Sequence, residues 1–144
     1  MRTRVVLSFG AALIVTGCSG AVEIALPAES ARCPAAALNW PATVSGHSRE
    51  ATSPDDAAVA SWGDPPVIAR CGLAPLVPTE EPCIEVDGVD WVAQELSDGT
   101  RLTTFGRDPA IELLVPAEYD PAPLLLPAFT EVAAALPTNG LLCR

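Results

Sequence analysis

The middle of the chain alternates between apolar and polar positions, whereas its two ends follow a longer period. Val67 to Cys71, Ile84-Glu85-Val86, Val89-Asp90-Trp91-Val92-Ala93, Arg101 to Phe105 and Ile111 to Val115 each read as a strand. Asp87-Gly88 stands between two of these runs and Asp98-Gly99 repeats the device, the chemistry of a two-residue hairpin turn. The pattern predicts an antiparallel meander of four or five strands.

Toward the C-terminus the period changes. Leu125, Phe129, Val132 and Leu136 recur at helical spacing, so a helix from about Leu124 can lay one apolar face on the sheet. Pro127 is expected in its first turn, where a missing backbone donor is harmless. On the N-terminal side, Val22 to Leu26 alternates as a short first strand or linker. Ser30 is placed to cap a helix through Cys33 to Leu38, stopped at Trp40-Pro41. Ser53-Pro54-Asp55-Asp56 predicts another helix, from Ala57 to about Ser61, since it joins a capping serine, a first-position proline and two acids at the positive helix end. Ser45 to Thr52 reads as an exposed loop. The sum is an α+β fold, an antiparallel four- to five-stranded sheet with helices packed on one side.

The first residues have a different character. Arg2 and Arg4 precede an apolar stretch from Val5 to Val15, about half the roughly 20 residues that a spanning helix needs. Val15-Thr16-Gly17-Cys18 resembles a bacterial lipoprotein processing box, with small residues before the cut. That resemblance implies a signal peptide over residues 1–17 and a diacylglycerol thioether on Cys18. Two acyl chains hold a protein on a membrane where one gives only marginal binding. Residues 18–30 then form the lipidated N-terminus, linker and candidate first strand, and residues 31–144 a single extracytoplasmic domain.

Charge narrows the partners. The chain has no lysine, and removal of residues 1–17 leaves six arginines against eighteen acids, a formal charge of about −12. Nucleic acid is excluded as a partner, and so is membrane attachment through a basic patch. A hydrophobic content of 49% and 15 prolines spread along the chain indicate a folded domain with many fixed turns.

Beyond Cys18, four cysteines remain: Cys33, Cys71, Cys83 and Cys143. An even set in an oxidising compartment implies two disulfides, with three pairings open. We expect Cys71 with Cys83, closing the Pro-rich segment from Leu73 to Pro82, and Cys33 with Cys143. A zinc site needs closely spaced pairs such as C-x-x-C, and the sequence has none, so no metal and no cofactor are expected.

Three short segments carry the most specific residues. They are Trp62-Gly63-Asp64-Pro65-Pro66 leading into Ile68-Ala69-Arg70-Cys71-Gly72, then Val86-Asp87-Gly88-Val89-Asp90-Trp91, and Thr103-Thr104-Phe105-Gly106-Arg107. With the processing box and the early cysteine they resemble the uncharacterised actinobacterial lipoprotein family known as domain of unknown function 3515. The likeness spans nearly the whole mature chain, departing from it at Pro66 and at Phe105, where tyrosine is expected. It implies a membrane-anchored envelope protein and supplies no activity, ligand or catalytic residue.

Two readings of those segments stay open. In one, Arg70 and Arg107 pair with Asp64 and Asp90 to fix loops, and Trp62 and Trp91 are core anchors. In the other, these same six residues line a cleft for a sugar, peptide or anionic envelope component.

Enzyme signatures are lacking. His47, the only histidine, stands in polar Ser45-Gly46-His47-Ser48 and reads as a solvated loop residue. There is no G-x-S-x-G elbow, no H-E-x-x-H helix and no phosphate-cradling glycine loop. Asp87, Asp90, Asp55 and Asp56 are explained by turns and caps, and Glu80-Glu81 by a solvated face. The expectation is a lipid-anchored protein on the extracytoplasmic face of the cell membrane, engaged in non-catalytic binding of a small envelope ligand or a partner protein. A carboxylate-dependent cell-wall hydrolase and a structural or assembly lipoprotein are the alternatives.

Overall fold

Asp87 and Gly88 both take positive φ, 52° and 79°, the backbone that a tight two-residue hairpin demands. They join β7 (Cys83–Val86) to β8 (Val89–Leu96), with Val86 opposite Val89. β8 then turns through Ser97 and Asp98 into β9 (Gly99–Phe105), Leu96 facing Gly99. The second turn therefore lies one residue earlier than Asp98-Gly99. Beyond β9, β10 (Ala110–Pro116) pairs with β9 on one side and with β6 (Val67–Leu73) on the other. A computed structural model describes residues 20–144, so the signal segment and Cys18 lie outside the described residues.

The sheet is larger than the alternating pattern predicts. β2 (Thr43–Val44), β3 (His47–Glu50) and β5 (Val59–Trp62) extend it to eight strands in the order β2-β3-β5-β6-β10-β9-β8-β7, each paired antiparallel to its neighbour. A separate parallel pair joins β1 (Val22–Glu23) to β4 (Thr52–Ser53). Two expectations fail here for physical reasons. The segment expected as a loop holds the turn and second strand of the β2–β3 hairpin, turned by Ser45 and Gly46 at φ 49° and 81°. The segment expected as a helix is β5, whose four residues are all buried. A strand buried on both faces has no alternation to read. The Asp56 carboxylate accepts from Ala58 N at 2.9 Å, turning the chain locally where a helix cap was expected.

Helical content is correspondingly small. Ser30 does not cap a helix but begins a 3-10 turn, Ser30–Arg32; α1 (Ala36–Asn39) starts later, without a side-chain cap, and ends at Trp40 as expected before Pro41. A longer 3-10 segment, Ala122–Phe129, leads into α2 (Thr130–Ala134). Pro127 lies near the end of that 3-10 segment and not in a first helical turn. The apolar set read from the sequence is nevertheless buried: Leu125, Phe129, Val132 and Leu136 pack with Val67, Ala69, Cys71, Ile111, Leu113 and Val115. These strand residues alternate, so the helical segments cover one face of the sheet and leave the other to loops.

The disulfides join Cys33 to Cys71 and Cys83 to Cys143, with Cα separations of 6.0 Å and 5.7 Å. The expected pairing of Cys71 with Cys83 is excluded by strand order. β6 and β7 are four positions apart in the sheet, about 19 Å at normal strand spacing, whereas a disulfide spans roughly 4.4–6.8 Å between Cα atoms. Cys33 lies instead in the buried cluster beside Cys71, and Cys143 returns to the far edge.

Candidate functional site

The register aligns Cys83, Val92, Thr103, Glu112 and Arg70 in one row across β7, β8, β9, β10 and β6. This row lies on the face without helices. The Pro-rich segment 74–82 forms one wall above it, and the C-terminal segment 139–144 forms the other. Between them lies a cavity of about 650 Å³; a second of about 420 Å³, lined by the Pro-rich segment and the sheet alone, adjoins it at Thr79, Glu81 and Val92. A smaller one of about 180 Å³ shares Phe105 and residues 140–142 with the larger, so the three adjoin one another along this face as a trough.

Local chemistry fixes both walls. Asn139 N donates to Gly106 O at 3.0 Å, and Cys143 N to Asp90 Oδ2 at 2.7 Å. Gly106 is required where the tail crosses: its φ is 77°, and a Cβ there would stand 2.1 Å from Leu141 O. The Cys83–Cys143 disulfide then ties the tail to the end of the Pro-rich wall.

One buried carboxylate dominates the electrostatics of the trough. Glu112 is 4% exposed and contacts two arginines. Arg70 Nε donates to its Oε1 at 3.0 Å, a second Arg70 nitrogen meets the same oxygen, and Arg101 Nε stands 3.2 Å from Oε2. Arg101 also donates to Gln94 Oε1 at 3.0 Å, which fixes the plane of its guanidinium. Two guanidinium groups against one carboxylate leave a net positive charge beneath the wall.

The residues singled out in the sequence separate into different places. Trp62 and Trp91 are buried in the core on the other face of the sheet. The Trp62 ring meets Trp40 and Phe129 edge to face at 6.4 and 5.4 Å, and its Nε1 donates to Pro41 O at 3.0 Å. The anticipated Arg70–Asp64 pair does not form, because Arg70 points along the ladder to Glu112 while Asp64 lies exposed in a turn. Arg107 and Asp90 do line the smallest cavity together, but they are not paired. Arg107 donates to Leu136 O at 3.0 Å, and Asp90 is taken by the Cys143 N–H. His47 belongs to β3 and meets Tyr119 edge to face at 5.9 Å. The Tyr119 phenol donates to Pro65 O at 2.9 Å, and burial, then Asp64 and Glu118, raise its pKa above the usual value.

Sequence reasoning passed over Glu112, Arg101 and Gln94. The available signal was Glu112 itself, a single acid inside the apolar run Ala110 to Val115, where burial demands a cationic partner. Among the described residues, no three His, Cys, Asp or Glu side chains come together as metal ligands, and no helix is long and apolar enough to cross a membrane.

Among curated proteins and among solved structures, nothing matches. The segments that carry the buried Trp62, the ion-paired Arg70 and the Asp87-Gly88 turn all lie within residues 15–140, over which the chain matches, and therefore belongs to, the family described as protein of unknown function (DUF3515).

Proposed function

We propose that this protein is a cell-envelope lipoprotein, anchored through Cys18 to the extracytoplasmic face of the membrane, that binds an envelope ligand or partner protein without catalysis. The observation that carries the reading is the trough, a concave surface on a rigid sheet with covalently linked walls. Its two buried carboxylates are already engaged: Glu112 by guanidinium groups, Asp90 by a backbone N–H. That favours binding over glycoside hydrolysis, which uses a free acid opposed to a second carboxylate.

The anchor and the binding are tested separately. Cys18→Ala should abolish palmitate labelling and leave the precursor uncleaved; persistent labelling removes the anchor. The lipidated wild-type protein should retain an envelope component in a pull-down. Leu142→Asp, which puts a charge on an exposed position of the trough wall, should lose it. Equal retention by both proteins removes the trough as the binding surface.

A further inference from the structure

We infer that the trough binds an amphiphile with an anionic head group, a carboxylate or phosphate held by Arg101, and an apolar chain lying along Val92 and Phe105. This rests on the binding reading above and names its ligand class. Three observations lead to it.

The first is the distribution of exposed apolar side chains. Among the described residues five large hydrophobics are left exposed, and two of them, Val77 and Leu142, 75% and 72% exposed, line adjoining cavities of the trough, one from the Pro-rich segment and one from the C-terminal segment. Leaving such groups in water is unfavourable, and an apolar chain laid between them would cover both. The second is the floor, where Val92 joins the two larger cavities and Phe105 continues the apolar track from the larger one into the smallest. The third is the charge at one end. Arg101 is 38% exposed and lines the same cavity as Leu73, Leu76 and Val77. Gln94 accepts a hydrogen bond from one terminal nitrogen, and Glu112 stands 3.2 Å from its Nε as an ion pair without a hydrogen bond, so these two contacts orient the guanidinium before any ligand arrives. Glu112 is also neutralised by Arg70, which leaves Arg101 as the surplus cation. Glu81 lines both larger cavities and Glu80 the larger one, but both are exposed, so water screens them. A guanidinium at the end of an apolar trough matches an anionic head on an apolar tail, and disfavours the same tail with a neutral head.

The probes are oleate, lysophosphatidate with an oleoyl chain, and oleyl alcohol, each below its aggregation concentration, competing with the fluorescent fatty acid cis-parinarate on the intact oxidised domain. Both anions should displace the probe, and oleyl alcohol should bind about tenfold or more weakly, as expected for one charge-assisted contact. The tighter of the two anions identifies the source as free acid or phospholipid. Arg101→Gln should reduce anion affinity to that of the alcohol, and Arg101→Lys should restore part of it. Val77→Asp and Leu142→Asp change exposed positions that the fold does not need, and each should weaken all three ligands. Equal binding of oleate and oleyl alcohol, an unaffected Arg101→Gln variant, or no displacement by any of the three overturns the inference. Retention of a partner protein in the pull-down with no displacement here would overturn the ligand class and leave the broader binding reading standing.

Discussion

Arg70 on β6 and Glu112 on β10 stand directly opposite each other across an antiparallel ladder, and the Arg70 side chain closes on a carboxylate that is only 4% exposed. The two members of the pair are not equivalent. Arg70→Met leaves a buried carboxylate with Arg101 alone and should cost about 3 kcal/mol, the low end for a broken buried pair. Glu112→Leu frees two arginines that can reach water and should cost only about 1 kcal/mol, and the double variant should recover most of the Arg70→Met loss. Urea unfolding of the three variants checks the order; a Glu112→Leu protein less stable than Arg70→Met contradicts it.

Trp62 is fully buried and joins Trp40 on one side to Phe129 on the other. Trp62→Ala should cost about 3–5 kcal/mol through lost burial and a cavity that these rings cannot collapse to fill. Trp62→Phe should lose less, keeping ring packing while giving up the hydrogen bond to Pro41 O. Thermal melts of both should place the phenylalanine variant between alanine and wild type.

The two disulfides differ in access. Cys33 and Cys71 are 1% and 0% exposed, whereas Cys83 is exposed and Cys143 partly so. Peptide mapping by mass spectrometry should find Cys33 linked to Cys71 and Cys83 linked to Cys143. Under a mild thiol reductant at neutral pH, the second link should open first, because the attacking thiolate can reach it. With sequence separations of 38 and 60 between partners, loss of either link should cost up to about 4 kcal/mol in the chain-entropy picture. A buried link that opens first would contradict the burial described here.

Tyr119 makes stability sensitive to alkali. Its pKa is raised, by burial first and then by Asp64 and Glu118, so the fold favours the neutral phenol that donates to Pro65 O. A raised folded pKa means that this contribution is complete below the unfolded value of about 10 and is lost as pH rises through the folded value. Tyr119→Phe should cost about 0.5–1 kcal/mol at neutral pH and flatten the decline in stability above about pH 10. Denaturant titrations at neutral and alkaline pH check it; identical alkaline slopes in the two proteins would refute the role.

Local features were legible in the sequence because each is encoded within a few residues. The Asp87-Gly88 turn needs positive φ at adjacent positions, and these residue types tolerate it. The Leu125, Phe129, Val132 and Leu136 spacing marks residues that are all buried, although Leu125 and Phe129 lie in a 3-10 helix, where positions three apart eclipse and Ala122 and Leu126 are buried with them. Alternation revealed β6 to β10 for the same reason. Partners were decided only in three dimensions. Val59–Trp62 is buried on both sides by neighbours distant in sequence, so its pattern has no period and its capping-type prelude points to a helix that tertiary packing overrides. Parity implied that the cysteines pair. Which cysteine meets which, and that Arg70 meets Glu112 and not nearby Asp64, follow from the order of strands in the sheet. That order comes from the global burial of apolar surface, which no short window of sequence contains.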